Sequence, residues 1–287
     1  MKNLITSLLF AGSLLPGHAE PLKTLIIDGQ NNHKWKTTTP VMKKALEETG
    51  LFAVEVATSP PHGSPELAAF KPDFAKYKVL VMNYNGDLWG EPTRLALEKY
   101  MSDGGGMVVV HAADNSFGQW PAFLDMIAVG GWNGYNDKPG GYLRWKDGKQ
   151  VLDEKTGNCG HHGGQHPFVL DTRAPTHPIM AGLPAQWMHT QDELYDFMRG
   201  PGKNATILAT AFADPKFGGS GEQEASLLVV SYGKGRIFHT MLGHDANVMK
   251  CVGFIVTLQR GTEWAATGKV TQKVPADFPT ADAVSLR

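Results

Sequence analysis

The chain has 287 residues, 42% of them hydrophobic, with 7 Trp and 13 Phe; this suits one large α/β domain or two small ones and excludes a disordered, charge-rich polymer. Lys plus Arg number 27 against 28 for Asp plus Glu, so no field of one sign draws the protein to nucleic acid or to an anionic membrane. A small neutral or weakly charged partner is the expectation.

At the N-terminus Lys2, the apolar run from Leu4 to Leu15, the break at Pro16-Gly17 and the small-x-small triplet Gly17-His18-Ala19 read as a signal peptide, residues 1–19, cut after Ala19. The run is too short to span a bilayer and no later stretch reaches ~18 to 20 apolar residues, so a periplasmic or secreted protein without a membrane span is expected.

TLIIDG (24–29) is a continuous apolar run ending in a turn signal, the pattern of a strand covered on both faces. A helix over 40–50 follows, with Pro40 in its first turn and Gly50 at its end. FAVEVAT (52–58) alternates as a strand and VLVMNY (79–84) is another buried one. PTRLALEKYMSDGGG (92–106) is an amphipathic helix with a glycine stop, and MVVVHAAD (107–114) returns to the sheet. The alternation predicts an α/β fold with a mostly parallel sheet and helices on both faces.

Ligands of such sheets bind outside the carboxyl ends of the strands. Those ends carry Asp28, Asn31, Asn32 and His33, then Asn83, Tyr84 and Asn85, then His111, Asp114 and Asn115. Polar groups after three successive strands exceed what turns require, and they mark the crevice as the candidate site.

Residues 130–164 hold glycine and aromatic residues without a clean period, a long excursion of loops with room for a hairpin. FVLDT (168–172), ATILATAF (205–212), SLLVVSY (226–232) and RIFHTML (236–242) read as further strands, and a helix over 247–266 closes a single domain, 20–270. Residues 271–287, with Pro275 and Pro279, read as an extended tail packed on the surface.

Six histidines, His161, His162, His166, His177, His189 and His239, fall between 161 and 239, and His244 follows. His162 and His166 have the i,i+4 spacing of a metal-binding helix, but Gly163-Gly164 between them disfavours a helix, so metal ligation, substrate contact and a solvated loop all stay open. His177-Pro178 reads as a turn or cap. Of Asp192-Glu193, one acid must face solvent or a pocket, where a desolvated Glu would have a raised pKa suited to proton transfer; a surface ion pair is the alternative. Gly243-His244-Asp245 leaves a strand end, with His244 as a base or metal ligand or Asp245 as a helix cap. Cys159 and Cys251 could pair in an exported protein, or be a loop thiol and a buried one. Neither a phosphate-binding Gly-Lys-Ser/Thr loop nor a Gly-x-Ser-x-Gly elbow is present.

MVVVHAADNSF, HPIMAGLP, DELYDF, GKGRIFHTMLGHD and LQRGTEWAATGKV, in this order, resemble the signature blocks of the ThuA-like, or trehalose-utilisation, family from about Leu25 to Val270. The resemblance implies a class I glutamine-amidotransferase-like, flavodoxin-like fold. The nucleophilic cysteine of true amidotransferases has no counterpart, because the matching stretch VVVHAAD offers His111, so glutamine hydrolysis is not implied.

It also implies sugar utilisation, with hydrolysis or elimination at a glycoside or 3-keto-glycoside as the reaction. A C3 ketone acidifies the C2 hydrogen, so a base can remove it and the C1 group can leave. The expected site is His111 or His244 as base and Glu193 as acid or orienting carboxylate. His33, Trp35, Tyr84, Asn85, Asp114, Trp132, His162 and His166 are expected to contact the sugar. No cofactor is required on this reading. The alternatives are a carbohydrate-binding protein without turnover and a divalent-metal hydrolase using His162, His166 and His244.

Overall fold

Strand β1 (Leu22–Asp28) shows how the sheet is covered: Ile26 points into one core and Leu25 and Ile27 into the other, as a period of two requires. The chain is described here from a computed structural model, which covers residues 20–132 and 140–287; the leader read at 1–19 and part of the aromatic excursion lie outside the described residues. The first half alternates as β1, α1 (Trp35–Glu47), β2 (Phe52–Thr58), β3 (Val79–Met82), α2 (Glu91–Ser102), β4 (Gly106–Val110) and α3 (Pro121–Ile127). The second half holds the hairpin β5 (Gly141–Lys146) and β6 (Lys149–Asp153), then β7 (His161–His162), β8 (His166–Thr172), β9 (Gln186–Asp192), β10 (Tyr195–Asp196), β11 (Arg199–Gly200), β12 (Ala205–Phe212), β13 (Gln223–Tyr232) and β14 (Gly235–Thr240), before α4 (Val252–Thr267).

One sheet runs in the order β2-β1-β3-β4-β14-β13-β12-β8-β9, with β5 bridging β13, β11 and β6, while β7 and β10 form a separate antiparallel pair. Strands β2, β1, β3, β4 and β14 are mutually parallel, whereas the pairs β14/β13, β13/β12, β12/β8 and β8/β9 are antiparallel. The sheet is therefore mixed, not mostly parallel. A parallel neighbour is usually reached through a crossover helix, and the connections between strands from β8 to β14 hold turns and one short 3-10 segment, Pro215–Phe217, with no α-helix. Gly233 closes the β13–β14 hairpin with φ +56, a conformation that suits glycine.

Helices cover both faces, as expected. On one, Met42 and Leu46 of α1 and Phe254 and Leu258 of α4 meet Ile26, Val81 and Val108; on the other, Leu97 and Met101 of α2 and Phe123 and Ile127 of α3 meet Ile27, Met82 and Val109. Each such side chain contributes about 1.5–3 kcal/mol by leaving water. Helix α1 starts five residues before Pro40, which lies inside it at an exposed position where solvent can serve the carbonyl its missing N–H leaves unbonded. The 271–287 segment is held along the domain by Met188 N–H to Thr280 O and Val252 N–H to Ser285 O. Among the described residues no helix is long and apolar enough to cross a membrane.

Cys251 is buried in the core under α4, and Cys159 packs against the core on the opposite face, so the disulfide considered from the sequence does not form.

Candidate active site

Because β1, β3, β4 and β14 are parallel, their carboxyl ends share one edge of the sheet, and the loops that leave them carry His33, Asn85, His111 and His244. Glu193 joins them from the end of β9. One ligand-type atom from each of His33, His111, Glu193 and His244 lies within 4.8 Å of all the others. The His33 ring is 4.9 Å from that of His111 and 4.6 Å from that of His244, centroid to centroid.

His111 sits at the elbow where β4 gives way to a 3-10 turn, with φ +48, a left-handed conformation that costs a non-glycine residue about 1–2 kcal/mol. Its Nδ1 is 2.7 Å from the Met241 carbonyl, which can only accept, so Nδ1 donates and the lone pair of the neutral ring is on Nε2. That Nε2 is buried, has no hydrogen-bond partner, and lies 3.4 Å from Glu193 Oε2. His244 Nδ1 is 3.0 Å from Glu193 Oε1, and His244 Nε2 is 3.2 Å from the Gln165 amide.

Asp192 builds this arrangement from below. Its Oδ1 accepts from the backbone N–H of Glu193 (2.8 Å) and of His244 (3.2 Å), and its Oδ2 from Gly243 N–H (2.9 Å) and His189 Nε2 (2.9 Å). Of the two adjacent acids, Asp192 thus faces the core and Glu193 the cleft. Burial pushes the Asp192 carboxyl up, but His189 and the backbone donors outweigh it and hold the group below the carboxylate range. Burial pushes the His189 imidazole down, yet Asp192 brings it up to about 9.

Electrostatics overturn one expectation. Burial alone would raise Glu193, as the sequence suggested, but His111 and His244 outweigh it and hold the carboxyl well below its ordinary value. Glu193 is ionised at neutral pH and fits the orienting role, not the acid. The nearby Glu193 carboxylate raises His244, while burial and the two neighbouring imidazoles lower His33 to about 4.

The cluster opens into a cleft of about 270 Å³ lined by Asn32, His33, Asn85, Asn115, Trp132, His162, Glu193 and Tyr195. Trp132 and Tyr195 meet at 4.8 Å, and Tyr195 lies over the His111 ring at 4.2 Å, so the cleft has an aromatic wall beside its amides. His162 Nδ1 is 2.9 Å from the Gly163 carbonyl, which leaves the Nε2 lone pair towards the cleft, 3.7 Å from Glu193 Oε1. A larger cleft of about 460 Å³ between Phe74 and Tyr100 brings together no histidine and no convergent carboxylates.

Of the expected sugar contacts, His33, Asn85, Trp132 and His162 line the cleft. Trp35 lines an adjoining cleft that shares Asn32 and Asn85 with it. Three residues lie elsewhere. Tyr84 continues the inward phase of Leu80 and Met82, packs on Trp89 and Phe117, and donates its hydroxyl to Asp87 O. Asp114 is fully buried, bonded to His239 Nε2 at 3.1 Å, with burial pushing its carboxyl up; it props the elbow from beneath. His166 stacks on Phe217 at 3.8 Å and lines a different groove, so the His162–His166–His244 metal set is not assembled. The two glycines turn the chain into β8 instead of a helix, which sends the two rings to different surfaces. His177 accepts from Ile179 N–H through Nδ1 and is the turn residue its sequence suggested.

Tyr195 is the lining residue that the sequence reading missed. Glu193 and Tyr195 are two apart in an extended segment and so share a side, a signal readable once DELYDF is taken as extended. Gln165 and Asp192 escaped for another reason: their parts depend on pairings with residues 28 to 79 positions away.

The family model described as trehalose utilisation, ThuA, matches residues 23–265. A ThuA-like protein from Parabacteroides merdae of known structure is 50% identical, over 93% of this chain and 98% of its own, with a TM-score of 0.91. A ThuA-like protein from Bacteroides uniformis, 19% identical over 90% of this chain and 97% of its own, shares the fold with a TM-score of 0.59. None of the curated proteins matches the chain. With a family match over nearly all the described residues and a half-identical relative of the same fold, the chain belongs to the ThuA, or trehalose-utilisation, family.

Proposed function

We propose that this protein is an exported sugar-utilisation enzyme that removes the C2 proton of a 3-keto-glycoside and expels the C1 substituent. The observation that carries the reading is the convergence of His33, His111, Glu193 and His244 at the base of a cleft walled by Trp132, Tyr195 and three asparagines. Aromatic faces stack on the apolar side of a pyranose ring while amides bond its hydroxyls, and the adjoining cleft with Trp35 gives the leaving group a place. The parallel order β2-β1-β3-β4 supports reading this half as a flavodoxin-like framework, whose ligands sit at the strand ends.

One role differs from the sequence expectation in this proposal. His111, its side chain only 3% exposed and aimed at Glu193, is too deep to meet a substrate C–H directly. His162 presents a free Nε2 lone pair at the wall and is the base on this reading. The C2–H bond breaks, its proton goes to His162 Nε2, and the electron pair moves onto the C3 oxygen as an enediolate. That charge faces the cluster, where the imidazoles of His33, His111 and His244 converge to stabilise it. Collapse of the enediolate breaks the C1–O bond, and the proton held on His162 is available to the departing alkoxide.

The test is incubation of purified protein with a panel of glycosides and their 3-keto derivatives, following release of the C1 alcohol. Release from the keto substrates alone is expected, with His162→Gln lowering kcat by about 10²–10⁴. Unchanged substrate across the panel overturns the reading.

A further inference from the structure

We infer that His33, His111, Glu193 and His244 bind one divalent transition-metal ion, which faces the C3 oxygen of the substrate. The substrate half of this statement rests on the function proposed above; the metal half does not.

Hydrogen bonding supplies the first argument. The Met241 carbonyl takes the only ring proton of neutral His111, so a buried lone pair on Nε2 confronts a second acceptor, Glu193 Oε2, at 3.4 Å with nothing donated between them. His244 Nδ1 is likewise buried, 3.0 Å from Glu193 Oε1 and not aligned for a hydrogen bond. Converging acceptors at this depth are stable around a cation. Separation supplies the second. Ligand atoms at ~2.1 Å from one ion stand ~3.0 Å apart across an octahedral edge and ~3.4 Å across a tetrahedral one. The two contacts to Glu193, one at each carboxylate oxygen, have those lengths, and the four atoms lie within 4.8 Å of one another, a little wider than the ~4.2 Å that spans such an ion.

The supports are those of a metal shell. His111 is oriented by a backbone carbonyl, and Asp192 fixes the backbone of both Glu193 and His244. Gln165 Nε2 lies 3.2 Å from His244 Nε2 and 3.4 Å from Glu193 Oε1, so one amide steadies both side chains from outside the cluster. Three imidazoles with one carboxylate suit zinc, manganese, iron or cobalt, and not calcium or magnesium, which take oxygen. His33 and His244 are partly exposed while His111 and Glu193 are buried, so the ion would be reached from the cleft side, where a coordination position is left for substrate oxygen.

The test uses tag-free protein stripped with a chelator and titrated with Co²⁺, read by its visible d–d absorption, and with Zn²⁺ by calorimetry. One ion per chain is expected, with His111→Ala and the near-isosteric Glu193→Gln each weakening binding at least ~100-fold and the exposed His62→Ala unchanged, circular dichroism confirming the fold of each. Absence of one-to-one binding, or equal binding by folded His111→Ala and Glu193→Gln, overturns the inference and leaves the keto-glycoside reading standing on His162 and the imidazole cluster alone. A metal-loaded protein inert on the keto-glycoside panel does the reverse, keeping the metal site and removing the substrate.

Discussion

Replacing Asp192 by Asn keeps the shape of the side chain and exchanges one oxygen for a donor. The carboxylate accepts four hydrogen bonds, from the N–H groups of Glu193 and His244 on one oxygen and from Gly243 N–H and His189 on the other. Whichever way the amide turns, its NH₂ faces two donors, so two bonds to a charged acceptor vanish and buried donors confront each other. At about 1.5–3 kcal/mol per bond to a charged group, the loss is about 3–6 kcal/mol, a large share of the ~5–15 kcal/mol that hold a domain folded. Taking about 4 kcal/mol, and about 2–4 °C per kcal/mol for a chain of this size, Tm should fall by roughly 8–16 °C. Thermal unfolding followed by circular dichroism at pH 7 reads this directly. A Tm within about 2 °C of wild type would refute the assignment of Asp192 as the buried anchor of Glu193 and His244.

Other perturbations test the frame away from the site. His177 is held at about 4 by burial, against 6.5 for the ordinary side chain, so the unfolded chain takes up its proton first as pH falls. Its contribution is complete above about pH 6.5 and is lost between there and about pH 4, by about 1–2 kcal/mol once partial exposure is allowed for. His177→Asn keeps an acceptor for Ile179 N–H and should flatten that part of a denaturant-midpoint-versus-pH curve relative to wild type; superimposable curves would contradict this. A Cβ on Gly261 of α4 would overlap the Phe238 ring of β14, so Gly261→Ala should cost about 1–3 kcal/mol in urea unfolding, and an unchanged midpoint would mean α4 packs less closely. Thiol titration in denaturant should count two reduced cysteines, with Tm indifferent to reductant; a count of zero would place Cys159 and Cys251 in a disulfide.

The parallel half of the fold was legible because β1, β3 and β4 are continuous apolar runs bounded by turn signals and helices of clear period. Strand β9 was not: Gln186–Asp192 places His189 and Asp192 on its buried side, and polarity there masks the alternation that marks a strand. The antiparallel half could have been inferred from the lack of helical sequence between β8 and β14. For the site, the strand-end rule located His33, Asn85 and His111 before any coordinates, and the family blocks added Glu193 and His244. It failed at Tyr84, where a strand ends in polar groups but one of them keeps the inward phase, and at Asp114, where a 3-10 turn folds the acid under the elbow. The ionisation of Glu193 could not be read locally, since it depends on imidazoles 82 residues before it and 51 after it in the chain.

The claim that this cleft removes a proton next to a ketone is tested most directly by proton NMR of a 3-keto-glycoside incubated with the protein in D₂O. The account predicts that the C2–H signal is lost as the C1 alcohol appears, with both changes slowed together in His162→Gln. Alcohol release from a sugar that keeps its C2 hydrogen, or a keto-glycoside left intact by folded protein, would contradict it.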